Sequence, residues 1–438
     1  MKAKLPYKDK GLWAIISEGF VSRLGFGIVS FALPLYAEQL GMSIAAIGVL
    51  VSIDVIFTIA FKPLMGWICD HFGLKRTYLA AIAVRSTVPL LMAFAFLPWH
   101  LFAIRAIYGL AIAMRDPSLN ALLVQRGSSK KTIATGFAWY ETLKGVAGNI
   151  GGAAAGLLVG LTLSNYRAIF LGAFVIALLP ILIIQFYVQE VRDKSYAKIL
   201  AGVQSVARIQ SGEEQTQAAA NEPASTKQLI SKPGSHKGMP WKSWASVLSF
   251  MSLGILITGN AEMLTGLLPV IAEKYAGVDP ESLGIVYLLS TVFILISGPL
   301  FGWITDNVSR KLSLMCRGIA NALSSAVLIA APNLFGLVFS EVSDDVGKSA
   351  FKPGWGAMMA HVATYDPEHP AQAMSYLSLA EDFGEAAGPI VATFIWTIWG
   401  LPVALTLRIV LSVINEVFTW FKVSPLEVQQ AAEAQASS

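Results

Sequence analysis

Pro63-Leu-Met-Gly-Trp-Ile-Cys-Asp70 and Pro299-Leu-Phe-Gly-Trp-Ile-Thr-Asp306 are near-copies of one octapeptide. Gly66 of the first copy and Gly302 of the second lie 236 residues apart. Four further pairs keep the same order at nearly this spacing: Leu33-Pro34 with Leu268-Pro269, Gly48 with Gly284, Pro117 with Pro353, and Glu141 with Glu381. The interval is too long for a solenoid period, so the unit that repeats is half of the chain.

The composition places this repeat in a membrane. Hydrophobic residues make up 55% of the chain and charged residues 14%, with a mean hydropathy of +0.60. Soluble domains carry about 25% charged residues, so much of this surface must face lipid. Two repeated halves in so apolar a chain predict a membrane transporter that rocks about a central site. The net charge of +4 requires no nucleic-acid partner, and the cysteines and histidines form no cluster that predicts a metal or a cofactor.

The chain divides into apolar segments long enough to cross a bilayer, each needing about 20 mostly apolar residues. Twelve such spans are predicted, at 12–37, 44–68, 77–97, 99–124, 133–161, 166–189, 243–272, 281–304, 311–331, 333–360, 371–398 and 401–422. The predicted domains are an N-terminal six-helix bundle at 1–189, a polar linker at 190–242, a C-terminal six-helix bundle at 243–424 and a tail at 425–438.

Lysine and arginine predict the orientation. They crowd into the N-terminus, the linker and alternate loops, and such loops face the cytoplasm. Both termini, the linker and the tail are therefore expected to be cytoplasmic in a protein of the bacterial inner membrane. The lipid bilayer and a small-molecule substrate are its expected partners, and a monomer is expected.

The loop after the second span carries a motif. Gly66 is followed by Asp70, Gly73, Lys75 and Arg76, a pattern that resembles motif A of the major facilitator superfamily. The resemblance implies a latch that gates the cytoplasmic face. The second copy keeps four of these residues, with Ser309 near the place of the second glycine; they are Gly302, Asp306, Arg310 and Lys311.

With twelve spans in two repeated halves, the resemblance covers nearly the whole chain. It implies a secondary transporter in which the first, fourth, seventh and tenth spans line a cavity. Charges at membrane depth cost about 3 kcal/mol each and must face a cavity or a partner. The candidate cavity residues are Arg23, Asp54, Arg115, Asp116, Lys144, Glu262, Asp344, Lys348 and Asp382, with Trp139 and Trp355 as aromatic contacts for a substrate.

Some of these charges can instead pair with one another. For Arg23 the favoured interpretation is a permanent pair with Asp54 or Asp116, and the alternative is binding of an anion. Arg115 next to Asp116 is typical of a packed pair.

Candidate proton carriers form a second group. Glu341 and Asp345 are like charges one turn apart, so one of them can hold a proton. The alternative is an ion network that ties this span to its neighbours, with Asp344 and Lys348 paired at i+4.

Glu141 and Glu381 are repeat-related and lie about 15 Å into their spans, at 1.5 Å per residue. Lys144 can satisfy Glu141, which favours a structural role. Glu381 has no cation in its own span and has Glu385 one turn on, so it is the first candidate for the coupling proton.

Glycines in the fifth and eleventh spans predict close helix packing. They are Gly148, Gly152, Gly156 and Gly160, with Gly384 and Gly388 in the second half. Exporters of the superfamily often carry Gly-Pro in this part of the fifth span, and here Asn149 takes the place of the proline.

The sequence thus predicts an all-α membrane protein of twelve helices in two repeat-related six-helix bundles. The expected activity is proton-coupled export of a cationic or zwitterionic organic compound by alternating access, driven by the proton gradient without a cofactor. The alternatives are a proton-coupled importer of a metabolite and a transport-fold sensor or assembly factor. An enzyme is not expected, because no nucleophile–base or metal constellation is present.

Overall fold

The computed structural model describes residues 10–126, 130–187, 241–363 and 370–436. Helices account for nearly all of these ranges. They are α1 (Lys10–Gln39), α2 (Ile44–Phe72), α3 (Leu74–Ala93), α4 (Pro98–Arg126), α5 (Lys130–Leu161), α6 (Tyr166–Tyr187), α7 (Trp241–Glu262), α8 (Leu268–Lys274), α9 (Pro280–Asn307), α10 (Arg310–Ala330), α11 (Leu334–Ala363), α12 (Pro370–Trp399) and α13 (Leu401–Ala436).

Eleven of the twelve predicted spans coincide with one helix each, to within four residues except at the C-terminal end of α13, which continues to Ala436. The prediction for 243–272 was wrong in one respect, because this span is broken into α7 and α8. Between them Gly266 has a φ of 72°, a left-handed conformation that favours glycine. Pro269 follows in the first turn of α8, where its missing amide hydrogen leaves no bond unmade.

Among the residues that the structure describes, seven helices are long and apolar enough to cross a membrane by length and composition: α1, α2, α5, α6, α9, α10 and α13. α4, α11 and α12 carry several charges at membrane depth, and α7 is shortened by the break after Glu262. Some of these charges pair with residues of neighbouring helices, as Arg115, Asp344 and Lys352 do, whereas others have no ion-pair partner among the described residues and are partly exposed.

The two halves share one core at one end and have separate cores at the other. We call the end where α1 begins and α13 ends the terminal side, and the opposite end the far side. On the far side, residues of both halves form a single apolar cluster that includes Phe31, Leu50, Leu268 and Val286. The halves are therefore closed against each other there.

On the terminal side each half keeps its own cluster. That of the first half contains Ile15, Tyr78 and Ile184, and that of the second contains Phe250 and Leu314. The described terminal-side cores do not merge, so on this side the halves are not joined by a shared apolar core as they are on the far side.

Two seams join the halves, α2 against α12 and α5 against α9. A Cβ atom on Gly48 would lie 2.8 Å from the carbonyl oxygen of Pro389, and one on Gly284 would lie 2.9 Å from that of Ala153. Gly48 and Gly284 are a repeat-related pair, so both seams use the same position for backbone contact.

The packing glycines make two kinds of contact, one between the halves and one within a half. Gly152, Gly156 and Gly160 face α9 of the other half, where they meet Tyr287, Pro280 and Glu281. Gly148 lies against Arg23, and the second-half glycines lie against α7 of their own half; these are Gly384 and Gly388. The glycine run of α5 is thus part of the contact that must open if the far side is to open.

Candidate functional site

A buried ion cluster in the second half is centred on Asp344 of α11. Its carboxylate lies 2.7 Å from Arg408 Nη2, 2.9 Å from Lys348 Nζ and 3.2 Å from Arg317 Nη1. Arg317 and Arg408 are fully buried. The pair of Asp344 and Lys348 is confirmed, and the network around Asp344 ties α11 to α10 and α13. Asp344, a predicted cavity residue, is an internal anchor because its helix turns it into the bundle.

Asp345 points in another direction and reaches the first half. Ser290 Oγ of α9 donates to its Oδ2 at 2.5 Å, and Asn149 Nδ2 of α5 donates to the same oxygen at 2.8 Å. The other carboxylate oxygen lies 3.9 Å from Lys348 Nζ. Asp345 is therefore a nearly buried carboxylate that a residue of the opposite half helps to satisfy.

Three acids of the second half lack a close cation. Within the described residues, no lysine or arginine nitrogen lies within 4.0 Å of Glu262, Glu341 or Glu385. They come from α7, α11 and α12, and their side chains are partly or well exposed. We call these three residues the acidic wall. Lys348 acts electrostatically on Glu262 and Glu341, and Lys352 acts on Glu385, without forming an ion pair.

The repeat-related acids Glu141 and Glu381 each have a partner. Lys144 Nζ lies 2.9 Å from Glu141, as the spacing predicted. Lys352 Nζ of α11 lies 3.4 Å from Glu381 Oε1. A cation from the neighbouring helix thus supplies what the helix of Glu381 lacks, so Glu385 is the less compensated acid of the two.

In the first half, a buried polar cluster surrounds Arg115. Its Nη2 donates to Glu18 Oε2 at 3.0 Å and to the Tyr140 hydroxyl at 2.7 Å, and Tyr78 donates a short hydrogen bond to Glu18. Asp116 is more distant, at 4.0 Å, and partly exposed. The predicted pair of Arg115 and Asp116 is therefore secondary to a pair between α4 and α1, which sequence spacing cannot reveal.

Asp54 is also an internal residue. Arg105 Nη2 lies 2.5 Å from Asp54 Oδ1, and both side chains are buried. The expected pairing of Arg23 with Asp54 or Asp116 was wrong. Arg23 has no carboxylate within 4.0 Å in the described part of the chain, and its guanidinium lies 5.5 Å from the ring of Phe26.

Of the two aromatic candidates for substrate contact, the structure describes the side chain of Trp355. Trp355 is 1% exposed and packs on Phe351 in the terminal-side core of the second half, so the prediction that it lines the cavity was wrong. It lies three turns from Asp344, on the same inward stripe of α11. The side chain of Trp139 lies outside the described part of the structure.

The gate motif is described in part. Gly73 alone separates α2 from α3, with a φ of 92° that requires glycine, and Lys75 Nζ donates to the carbonyl of Gln185 at 3.3 Å. In the second copy, Ser309 replaces this turn with a side-chain cap on the amide of Leu312 at 3.0 Å, and no atom lies within 4 Å of a Cβ placed on Gly302. The side chains of Gly66, Asp70, Asp306 and Arg310 lie outside the described residues; Arg76 is exposed.

Among the described residues, two ion pairs cross between the halves. Lys62 of α2 lies 2.7 Å from Asp382 of α12, toward the terminal side, and Lys274 of α8 lies 2.7 Å from Glu38 of α1 on the far side. Partial burial and the nearby Glu38 raise the pKa of Glu273, against the effect of Lys274. Lys62 was missed from sequence, although it directly precedes the repeated octapeptide.

Comparison with known proteins agrees with this architecture. The family model described as Major Facilitator Superfamily matches residues 18–259 and again 250–437. The chain is 24% identical over 434 residues to the multidrug resistance protein MdtG of Yersinia enterocolitica, covering 94% of this chain and 93% of that one. It is 23% identical over 164 residues to the multidrug resistance efflux pump PmrA of Streptococcus pneumoniae, which is 36% of this chain and 40% of that one.

Solved structures share the fold at low identity. A POT family transporter in complex with 5-aminolevulinic acid has a TM-score of 0.69 at 13% identity, over 94% of this chain and 97% of that one. A bacterial homologue of the human lysosomal transporter Spinster, inward-facing and unoccupied, has a TM-score of 0.68 at 13% identity, over 95% and 97%. With the family model matching both halves and relatives that match nearly its whole length, this chain is a membrane transporter that belongs to the Major Facilitator Superfamily.

Proposed function

We propose that this protein exports small organic cations or zwitterions in exchange for protons, by alternating access. The acidic wall carries this proposal. Carboxylates at membrane depth are costly unless a positive charge accompanies them. Glu262, Glu341 and Glu385 have no ion-pair partner within the described residues, so a proton or a cationic substrate would supply the missing charge.

Exchange of substrate for protons follows because both bind to the same carboxylates. A substrate cation and a proton that neutralise the same carboxylates compete, so each leaves when the other binds. Glu385 and Glu341 are the first candidates for the proton, and Glu381, already facing Lys352 at 3.4 Å, ranks behind them. This order differs from the sequence-based expectation because the partner of Glu381 comes from another helix.

The direction of transport rests on two supports. The halves share an apolar core on the far side and have separate cores toward the termini, and the positive-inside rule assigns the termini to the cytoplasm. Relatives that match nearly the whole chain carry the name multidrug resistance protein. A bacterial inner-membrane exporter that accepts its substrate in this conformation accounts for both.

Arg23 refines the substrate class. It is a cation of the first half without a carboxylate partner, and an arginine stays charged. A zwitterion would place its ammonium on the acidic wall and its carboxylate near Arg23. Replacing Arg23 by glutamine should then weaken transport of zwitterions by about tenfold, the loss of about one charge-assisted hydrogen bond, and leave simple cations unaffected.

Inverted membrane vesicles test the proposal. An imposed proton gradient should drive uptake of cationic dyes or zwitterionic compounds, and substrate addition should release protons. Glu385→Gln and Glu341→Gln should abolish gradient-driven uptake.

Two results would contradict the proposal. Uptake into inverted vesicles that does not depend on the proton gradient would exclude proton exchange. Accumulation only in right-side-out vesicles with an inward proton gradient would identify an importer instead.

A further inference from the structure

A polar link crosses between the halves in the interior of the membrane. Asn149 of α5 and Ser290 of α9 both donate to Oδ2 of Asp345, at 2.8 Å and 2.5 Å. Ser290 belongs to the same half as Asp345, but Asn149 belongs to the other. The bond from Asn149 therefore exists only while α5 packs against the second half.

The repeat shows how unusual this site is. With the offset of 236 residues that relates Gly66 to Gly302 and Pro117 to Pro353, Ser290 corresponds to Asp54, and Glu341 corresponds to Arg105. In the first half these two positions form a buried ion pair, with 2.5 Å between Arg105 Nη2 and Asp54 Oδ1. The two charges of that pair cancel, and both residues belong to the first half.

In the second half the same positions carry no such pair. The arginine is replaced by Glu341, the aspartate by Ser290, and the acid is moved across to Asp345, whose counterpart is Gly109. Asp345 thus loses the internal cation that its repeat provides and gains a like charge one turn away. Asn149 supplies part of the missing stabilisation from outside the half.

We propose that Asn149 is a positioning residue that couples proton binding at Asp345 to closure of the far side. The inference rests on the proton exchange proposed above. An N–H donor stabilises the ionised form of a carboxylate. With the far side closed, Asn149 keeps Asp345 ionised. When α5 leaves α9, the donor departs with the first half, and Asp345 takes a proton from the far side.

The surroundings of Asp345 leave this role to Asn149. Lys348 Nζ is 3.9 Å away and is held more closely by Asp344, at 2.9 Å. The guanidinium groups of Arg317 and Arg408 form ion pairs with Asp344 as well. The described charged or titratable groups that face Asp345 are Glu341, Asp344 and Lys348 from α11 and Tyr287 from α9. From α5, the contact is the amide of Asn149.

Spin labels on the far side can test the coupling. Leu163 in the first half and Phe335 in the second are 92% and 68% exposed, so cysteines there, in a background without Cys69 and Cys316, would report opening of the far side. In the otherwise unaltered full-length protein, lowering the pH should convert short inter-label distances to long ones about a midpoint.

Removing the donor should uncouple opening from pH. The bond from Asn149 exists in the closed state only, so without it protonation of Asp345 favours neither state, and the pH-dependent change in distance should be largely lost in Asn149→Ala. Asn149→Gln, which keeps an amide, should restore part of the pH-dependent change. Ser290→Ala removes a donor that stays with Asp345 in both states, so it should shift the midpoint while leaving coupling to transport intact.

The outcomes separate the two proposals. A pH-independent wild-type protein would overturn both proton exchange and this inference. A pH-dependent wild type whose pH dependence is unchanged in Asn149→Ala would overturn the inference alone. So would a variant that favours one state by the same amount at every pH and keeps the full pH-dependent change, because that is the signature of a packing role.

Discussion

Asp344→Asn should destabilise the second half more than any other change of one charge among the described residues of α11. The carboxylate lies within 3.2 Å of Arg317, Arg408 and Lys348. Arg317 and Arg408 are 1% and 0% exposed, so neither can turn to water when the charge is removed. Asparagine keeps the size of the side chain and an acceptor oxygen, which isolates the loss of charge.

The expected magnitude follows from burial. Removing one member of a buried ion pair costs about 3–5 kcal/mol. For a folding unit of about 200 residues, each kcal/mol lowers the melting temperature by about 2–4 °C. The variant should therefore unfold about 6–20 °C below the wild type in detergent, as measured by the loss of the monodisperse peak in size-exclusion chromatography after heating.

A matched control separates this effect from general charge removal. Glu381→Gln breaks the pair with Lys352, whose side chain is 63% exposed. Exposed pairs contribute about 0–1 kcal/mol, so this variant should melt within about 4 °C of the wild type. Adding Arg408→Met to Asp344→Asn removes one stranded cation and should recover part of the loss. If Asp344→Asn melts together with the control, the cluster does not hold α10, α11 and α13 together.

Three further predictions concern the gate, the seam and the orientation. Asp70→Asn should reduce the transport rate more than Asp306→Asn at matched expression, because only the first copy keeps the full motif; equal losses would show that the copies are equivalent latches. Gly156→Val should disrupt the far-side closure and expose that side to cysteine labelling, since its Cβ would meet the carbonyl of Pro280, whereas Gly172→Val, with no atom within 4 Å of its Cβ, should not. A cysteine at Ser164 should react with an impermeant reagent from outside intact cells, and labelling only after permeabilisation would reverse the proposed orientation.

Local features of this protein could be predicted from its sequence. The repeat and the spans follow from apolar length and spacing. The pairs Asp344–Lys348 and Glu141–Lys144 are present at 2.9 Å each, because residues three or four apart share a face of any α-helix. No knowledge of the neighbouring helices is needed for such pairs.

Partners on different helices could not be predicted in this way. Arg105 finds Asp54, and Lys62 finds Asp382, because of how each helix is rotated about its axis and how the halves are tilted. The misplacement of Trp355 has the same origin. Its span was expected to line the cavity, but Trp355 lies on the stripe of α11 that turns into the core of its own half, next to the stripe that carries Glu341.

The two seams between the halves are equivalent in backbone but not in charge. On the α2–α12 seam, Lys62 and Asp382 form an ion pair at 2.7 Å. The repeat-related positions on the α5–α9 seam are Gly298 and Thr142, where a Cβ on the glycine would lie 4.0 Å from the threonine hydroxyl.

Breaking the ion pair requires hydrating or re-pairing two charges, whereas separating glycine from threonine requires neither. The α5–α9 seam is therefore the easier one to move on the terminal side, and it also holds Asn149 against Asp345. A rocking motion that pivots on the α2–α12 seam would move α5 most, and so would carry the donor away from the carboxylate. The repeat symmetry of the fold permits a rocking motion of the halves. The residues that differ between the two seams determine which seam moves and couple that movement to proton binding.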